Sequence, residues 1–349
     1  MNNELRNKRK KLIWQLPFLA FLIIGTILII SRQRSTPYQH DNGFVFGTVY
    51  SITYQSENNL KKEIEAELKK VDKSLSTFNP KSTISRINSG KSTATDSMFI
   101  EVFRIAQRIS DETDGAFDIT VAPLVNAWGF GFKNNNTPTP QTIDSLQHFV
   151  SYRKVKETAG PDGRPTIKKT DSRLMLDCGA IAKGYGSDVV AGLLRNHGIT
   201  NFMIEIGGEI VTSGINEKRV AWKIGVTKPT EDSLNTTNEI QTILNVTDKA
   251  MATSGNYRNF YYKNGKRFAH TIDPRTGYPV QHNILSATVL ADSCTIADAY
   301  ATSFMVMGLE KSQKILARHP ELMAYLIYSD EHGSNAVWFS PSLKDKINK

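Results

Sequence analysis

Residues 270–280 read HTIDPRTGYPV, and residues 291–308 read ADSCTIADAYATSFMVMG. The first run gathers His270, Asp273, Pro274 and Gly277 into turn-forming chemistry. The second predicts a helix over 293–307. Asp298 and Thr302 stand four residues apart, so a helix puts a carboxylate and a hydroxyl on one face, one turn apart. Oxygen ligands of this kind suit a hard cation such as Mg²⁺. A metal-assisted phosphate chemistry assembled from two separated turns is therefore expected here. The rest of the chain has to supply the substrate pocket.

Immediately upstream, residues 259–263 and 266–271 flank Asn264-Gly265, a type I′ hairpin signal that delivers His270 and Ile272 to a strand end. Downstream, a strand is expected over 283–290, an amphipathic helix over 311–318 and a strand over 324–328. Farther back, Gly207-Gly208 sits between two alternating runs in NFMIEIGGEIVTS (201–213), a second hairpin signal. Residues 222–227 and 239–246 read as strands, and 248–259 as a turn of small residues. RLMLD (173–177) reads as a buried strand, followed by a glycine-containing turn and a helix ended by Gly198. Lys183 lies near that helix start, where backbone N–H groups and an ammonium can hold phosphate. The run is neither a P-loop nor a dinucleotide fingerprint, and its glycines serve helix–strand packing equally well.

In the amino-terminal half, FVFGTVYSITY (44–54) predicts a strand with close backbone approach at Gly47. Apolar stripes predict helices over 60–75 and 97–113, the second closed by Asp114-Gly115. Phe78 precedes the Asn79-Pro80 turn, and AFDITVAPLVNAWGFGF (116–132) reads as a Trp-anchored corner. A short helix over 143–149, a strand over 151–157 and a turn at Asp162-Gly163 follow. Many strands with helices between and beside them argue a mixed α/β or α+β class, and α+β with mixed or antiparallel sheets and flanking helices is expected. No internal repeat is present.

The 349 residues suffice for a large core. The net charge of +9 is partly local: residues 1–11 carry Arg6, Lys8, Arg9, Lys10 and Lys11 against Glu4. That is a topology signal, and no nucleic-acid footprint. Residues 12–30 are nearly all apolar, and as a helix would span about 28 Å, one hydrocarbon core. The positive-inside rule puts 1–11 in the cytoplasm, with 12–30 an uncleaved transmembrane signal anchor, since residues 29–32 offer no A-x-A-like cleavage site. Residues 31–43 read as a linker and 44–349 as the folded domain. Two cysteines, Cys178 and Cys294, make no disulfide framework, and the seven histidines show no metal-ligand spacing.

FGTVYSI, STFNPKSTISRIN, TDGAFDITVAPLVNAWGFG, LDCGAIAKGYGSD, TSGNYRNFY, HTIDPRTGYPV and ADAYATSFMVMG together resemble the ApbE family of flavin transferases, in the family's order and over nearly all of 44–345. The resemblance implies a periplasmic, Mg²⁺-dependent enzyme of the bacterial inner membrane. Such an enzyme cleaves the FAD pyrophosphate, attaches FMN through a phosphoester to a Thr or Ser of a partner protein, and releases AMP. Acceptors in the family are typically subunits of membrane redox complexes.

By position, the resemblance implies that Phe46, Phe78, Ala116, Phe117 and Asp118 line the flavin pocket. Phe46 stands where Met is common, and Phe78 where Tyr is common. Asp177, Lys183 and Ile272 would contact FAD. The Ala180 carbonyl, Asp298 and Thr302 would hold the metal. Position 301 is Ala301 where family members have Asp, so a carbonyl or water would stand in there. His270 matches the histidine needed for activity and could take the acceptor's proton, with Asp273 orienting it or acting in its place. A pyrophosphatase making FMN and AMP, or a non-enzymatic FAD carrier, would use a similar site.

Overall fold

The computed structural model describes residues 16–26, 36–130, 138–229, 239–256, 260–263 and 266–347. After helix α1 (16–26) come strands β1 (Tyr38–Val45) and β2 (Thr48–Gln55). Five helices follow: α2 (Lys61–Leu75), α3 (Thr83–Asn88), α4 (Ser97–Glu112), α5 (Ala122–Ala127) and α6 (Pro140–Gln147). Strands β3 (Val155–Ala159) and β4 (Pro165–Lys169) precede helix α7 (Ala182–Asn196). Then come β5 (Phe202–Ile206), β6 (Glu209–Ser213), β7 (Trp222–Thr227), β8 (Ile240–Val246), β9 (Ala250–Gly255), β10 (Phe260–Lys263), β11 (Lys266–Ala269) and β12 (Ile284–Ala291). Helices α8 (Cys294–Met307) and α9 (Leu309–Arg318) and strands β13 (Met323–Ser329) and β14 (Asn335–Phe339) complete the order.

Eight strands form one sheet, β1-β2-β5-β6-β9-β12-β13-β14, antiparallel throughout. The fold is therefore α+β with an antiparallel sheet, as the sequence predicts. Helices cover one face. The apolar stripe of α2 (Ile64, Leu68, Val71, Leu75) and α7 meet Ile52, Ile204 and Val211 of the sheet. Helix α8 continues that layer over β9 and β12, with Phe99 and Phe103 of α4 in the same core cluster. The β7–β8 hairpin covers the other face, where Ile224, Val226 and Leu244 pack with Met251, Leu290 and Tyr325. Strand β12 is covered on both faces, which is why ILSATVLA lacks polar alternation.

Several expectations change. Residues 44–54 are not one strand. Val45 pairs with Thr48, and Phe46 and Gly47 form the two-residue turn at φ +52° and +75°. A type I′ turn needs positive φ at both central positions. Nothing lies within 4 Å of where a Gly47 Cβ would stand, so the glycine serves the turn and no close approach. Strand β1 begins at Tyr38, inside the stretch expected to be a linker.

The small residues of 250–255 are a central strand, because the covering helix and both neighbouring strands come close there. Residues 173–177 belong to no strand: Arg173 lies in a turn and 174–177 are irregular. Their backbone is tied by Leu176 N–H to Asn88 Oδ1 (2.7 Å) and Asp177 N–H to the Ile119 carbonyl (2.7 Å). Residues 152–154 are a 3-10 turn, so strand β3 starts only at Val155.

No helix among the described residues is long and apolar enough to cross a membrane. The ends of the predicted anchor, 12–15 and 27–30, lie outside the described residues, as does the turn at 264–265.

Candidate active site

Helices α7 and α8 cross closely because Gly184 has no side chain. A Cβ there would overlap the Cys294 carbonyl oxygen and stand 2.9 Å from Asp298 Cβ. Asp188, one turn farther along α7, caps the start of α8. It accepts from Ser293 Oγ (2.7 Å), Cys294 N–H (2.8 Å), Thr295 N–H (2.8 Å) and Thr295 Oγ1 (2.6 Å). A carboxylate at a helix N-terminus satisfies orphan donors and favours the dipole. These ties set the register in which Asp298 meets Lys183. Asp298 is 3% exposed, and its Oδ2 accepts from Gly184 N–H at 3.1 Å. Thr302, one turn on, shares a hydrogen bond of 3.2 Å with Ser254 of β9.

A cavity of about 920 Å³ opens beside this pair, near the top of the roughly 300–1,000 Å³ usual for ligand clefts. Ala116, Phe117, Asp118, Asp177, Ala180, Lys183, His270, Ile272, Asp298 and Thr302 all line it. The first three follow the Asp114-Gly115 turn, both residues of which have positive φ. Asp118 also locks that segment: its Oδ1 accepts from Thr120 N–H and Oγ1, and its Oδ2 from Tyr152 N–H at 2.8 Å. Asp177 caps its own turn through Gly179 N–H (2.8 Å), and burial pushes its pKa up.

Glu209, which no sequence motif singles out, belongs to the same wall. It is 3% exposed and pairs with Lys183 Nζ. Burial works against the Lys183 charge, but Asp298 and Glu209 outweigh it and hold its pKa above the usual value. Burial, and then the Asp298 charge, push Glu209 up to about 8. The directions agree physically: one ammonium sees two carboxylates, and the two carboxylates compete for it. The only signal in the sequence is an acid directly after Gly207-Gly208, opening a strand otherwise buried almost throughout.

The 270–280 stretch closes the cavity from outside the sheet. Thr271 Oγ1 donates to Asn256 Oδ1 (2.6 Å), Val280 N–H to the Thr271 carbonyl (3.0 Å), and Trp128 Nε1 to the Gly277 carbonyl (2.8 Å). Ile272 is buried among Leu124, Trp128 and Ile143. His270 is half-buried, with its ring 6.3 Å from that of Phe130, edge-on.

Four predicted residues stand off the cavity wall. Asp273 is engaged by its own turn. Its oxygens take Arg275 Nε (2.9 Å), Nη2 (2.8 Å) and N–H (2.9 Å), making it a clamp for the turn. Ala301, three residues after Asp298 on α8, is fully buried in the core cluster and does not line the cavity. Phe46 packs onto α7 at Gly186 and touches both helical core clusters. Phe78 is 77% exposed on the surface turn.

The donor set fits a hard cation. Asp298, the Thr302 hydroxyl and the Ala180 segment offer oxygen only, and two buried carboxylates against one ammonium leave excess negative charge. One carboxylate with remaining positions for phosphate and water is the usual Mg²⁺ arrangement.

Residues 46–327 match the family model described as the ApbE family. The chain belongs to the ApbE family. ApbE relatives include a FAD:protein FMN transferase of Haemophilus influenzae, 35% identical over 316 residues, 86% of this chain and 89% of that one. Another, from Vibrio cholerae, is 34% identical over 320 residues, covering 88% and 93%. Among solved structures, the flavin transferase ApbE from Vibrio cholerae superposes with a TM-score of 0.79 at 34% identity, over 89% of this chain and 99% of that one. The apo flavinyl transferase ApbE of Pseudomonas stutzeri gives 0.77 at 27% identity, over 90% and 98%.

Proposed function

We propose that the protein is an FAD:protein FMN transferase. It would cleave FAD at the pyrophosphate, join FMN through a phosphoester to a Thr or Ser of an acceptor protein, and release AMP. The observation that carries this is the buried Asp298–Lys183–Glu209 cluster, in one cavity with His270, in a chain of the ApbE family. Asp298, the Thr302 hydroxyl and the Ala180 carbonyl would hold Mg²⁺. When bound, that ion supplies charge neutralisation for the phosphate oxygens.

Lys183 adds a cation on the same wall, held there by its pairing with Glu209. The acceptor oxygen forms a bond to the FMN phosphorus as the bond from that phosphorus to the AMP oxygen breaks. His270 takes the hydroxyl proton, since an imidazole titrates near neutrality. Ala116, Phe117, Ile272 and Asp177 supply the flavin side of the pocket. Phe78, exposed on its turn, and Phe46 would reach the flavin only if they close over it.

The amino-terminal segment, with its basic flank, would anchor the enzyme in the inner membrane with the catalytic domain in the periplasm. The acceptor would then be a subunit of a membrane redox complex. The test is incubation of the protein with FAD, Mg²⁺ and candidate acceptor proteins, followed by in-gel flavin fluorescence and AMP measurement. Fluorescent acceptor with equimolar AMP is expected. FMN and AMP without labelled protein would make the enzyme a pyrophosphatase, and neither product despite FAD binding would make it a carrier.

A further inference from the structure

Glu209 is a buried charged group on the cavity wall for which the reaction outlined above has no use. Its side chain is 4% exposed, and one carboxylate oxygen takes the Lys183 ammonium. The other oxygen, Oε2, has no hydrogen-bond partner among the described residues. A buried carboxylate satisfied on one side only costs stability, so its presence calls for a role.

We propose that Glu209 is a positioning residue that holds Lys183 on the cavity wall and keeps its ammonium off Asp298. The inference rests on the reading of Asp298 as the metal carboxylate and of Lys183 as the phosphate contact. Lysine is a point charge on a flexible four-carbon stem, and here it faces two carboxylates. Paired to Asp298, it would occupy the oxygen that a cation needs and withdraw itself from the pyrophosphate. Paired to Glu209, it leaves Asp298 with one oxygen on Gly184 N–H and the other available.

The backbone is built to fix this choice. Ser187 Oγ, one turn beyond Lys183 on α7, stands 3.2 Å from the carbonyls of both Lys183 and Glu209 and shares its one proton between them. The start of β6 is thereby tied to the helix that carries the lysine. The tie holds the Glu209 main chain against the helix that carries its partner.

The sign of the effect separates positioning from bulk electrostatics. Removing a negative charge beside an anion site tightens anion binding if charge alone acts. Positioning predicts the reverse. FAD affinity of the full chain would be measured by flavin fluorescence with and without Mg²⁺, for Glu209→Gln, Glu209→Ala, Lys183→Met and the Lys183→Met/Glu209→Ala double variant. Each single variant is expected to weaken FAD binding about tenfold, and the double variant to be no weaker than Lys183→Met, because the two act as one unit. Tighter binding in Glu209→Gln, or additive losses in the double variant, would overturn the role. Glu209→Gln keeps the shape of the side chain, so the test survives if Glu209→Ala does not fold. Absence of FAD binding by the unaltered protein would instead overturn the functional reading and this inference with it.

Discussion

The α7–α8 wall and the 270–280 loop face one cavity but are built in opposite ways. The wall is core: Gly184 lets two helices touch, Asp188 caps one from the other, and Asp298 is buried between them. The loop is peripheral. It hangs beyond a two-stranded hairpin, rests on the small cluster of Leu124, Trp128, Ile143 and Ile272, and is closed by its own Asp273–Arg275 clamp. Under the proposed function, the charge that meets phosphate sits on packed core elements. The group that meets an incoming acceptor sits where a protein can reach it.

Four substitutions test that contrast, in order of expected effect. Asp298→Ala should remove several kcal/mol of transition-state stabilisation, on the order of 10³-fold in turnover, and weaken Mg²⁺ binding measured by calorimetry. Unchanged turnover would break the assignment of the wall. His270→Ala should lower FMN transfer on the order of 10²-fold while leaving FAD affinity by fluorescence titration close to the parent value. Lost FAD binding would mean that the loop, too, is binding machinery.

Gly184→Ala should destabilise the fold by about 2 kcal/mol, because overlap with the Cys294 carbonyl outweighs the gain in helix propensity. A lowered denaturant midpoint at constant m would record it, and no shift would show that the helices can part. Asp273→Asn should cost less than about 1 kcal/mol in the same titration, since the pair is partly exposed and Asn Oδ1 still accepts from Arg275 N–H. A collapse of transfer in that variant, with stability intact, would return Asp273 to the chemistry.

Much of this is legible in the chain. The stripes of α2 and α4 and the Gly207-Gly208 hairpin follow from periodicity and turn chemistry, and appear where expected. The four-residue spacing of Asp298 and Thr302 does put both on the cavity wall. The misses share a cause. Residues 250–255 lack bulky β-formers, yet form a central strand because sheet neighbours and α8 impose it. Phe46-Gly47 reads as strand interior because an aromatic at positive φ is not a local preference. Nor does the chain show in advance that Asp273 takes the guanidinium of Arg275, two residues on.

By itself, the sequence determined the α+β class, the family and which short motifs carry oxygen and charge, because these depend on local spacing and turn geometry. Only the tertiary structure decided which motifs meet. It brought Lys183, Glu209 and Asp298 together from β6 and two helices, and it turned Ala301 into the core. A charge's partner is set by distance through space and by burial, and neither is written along the chain.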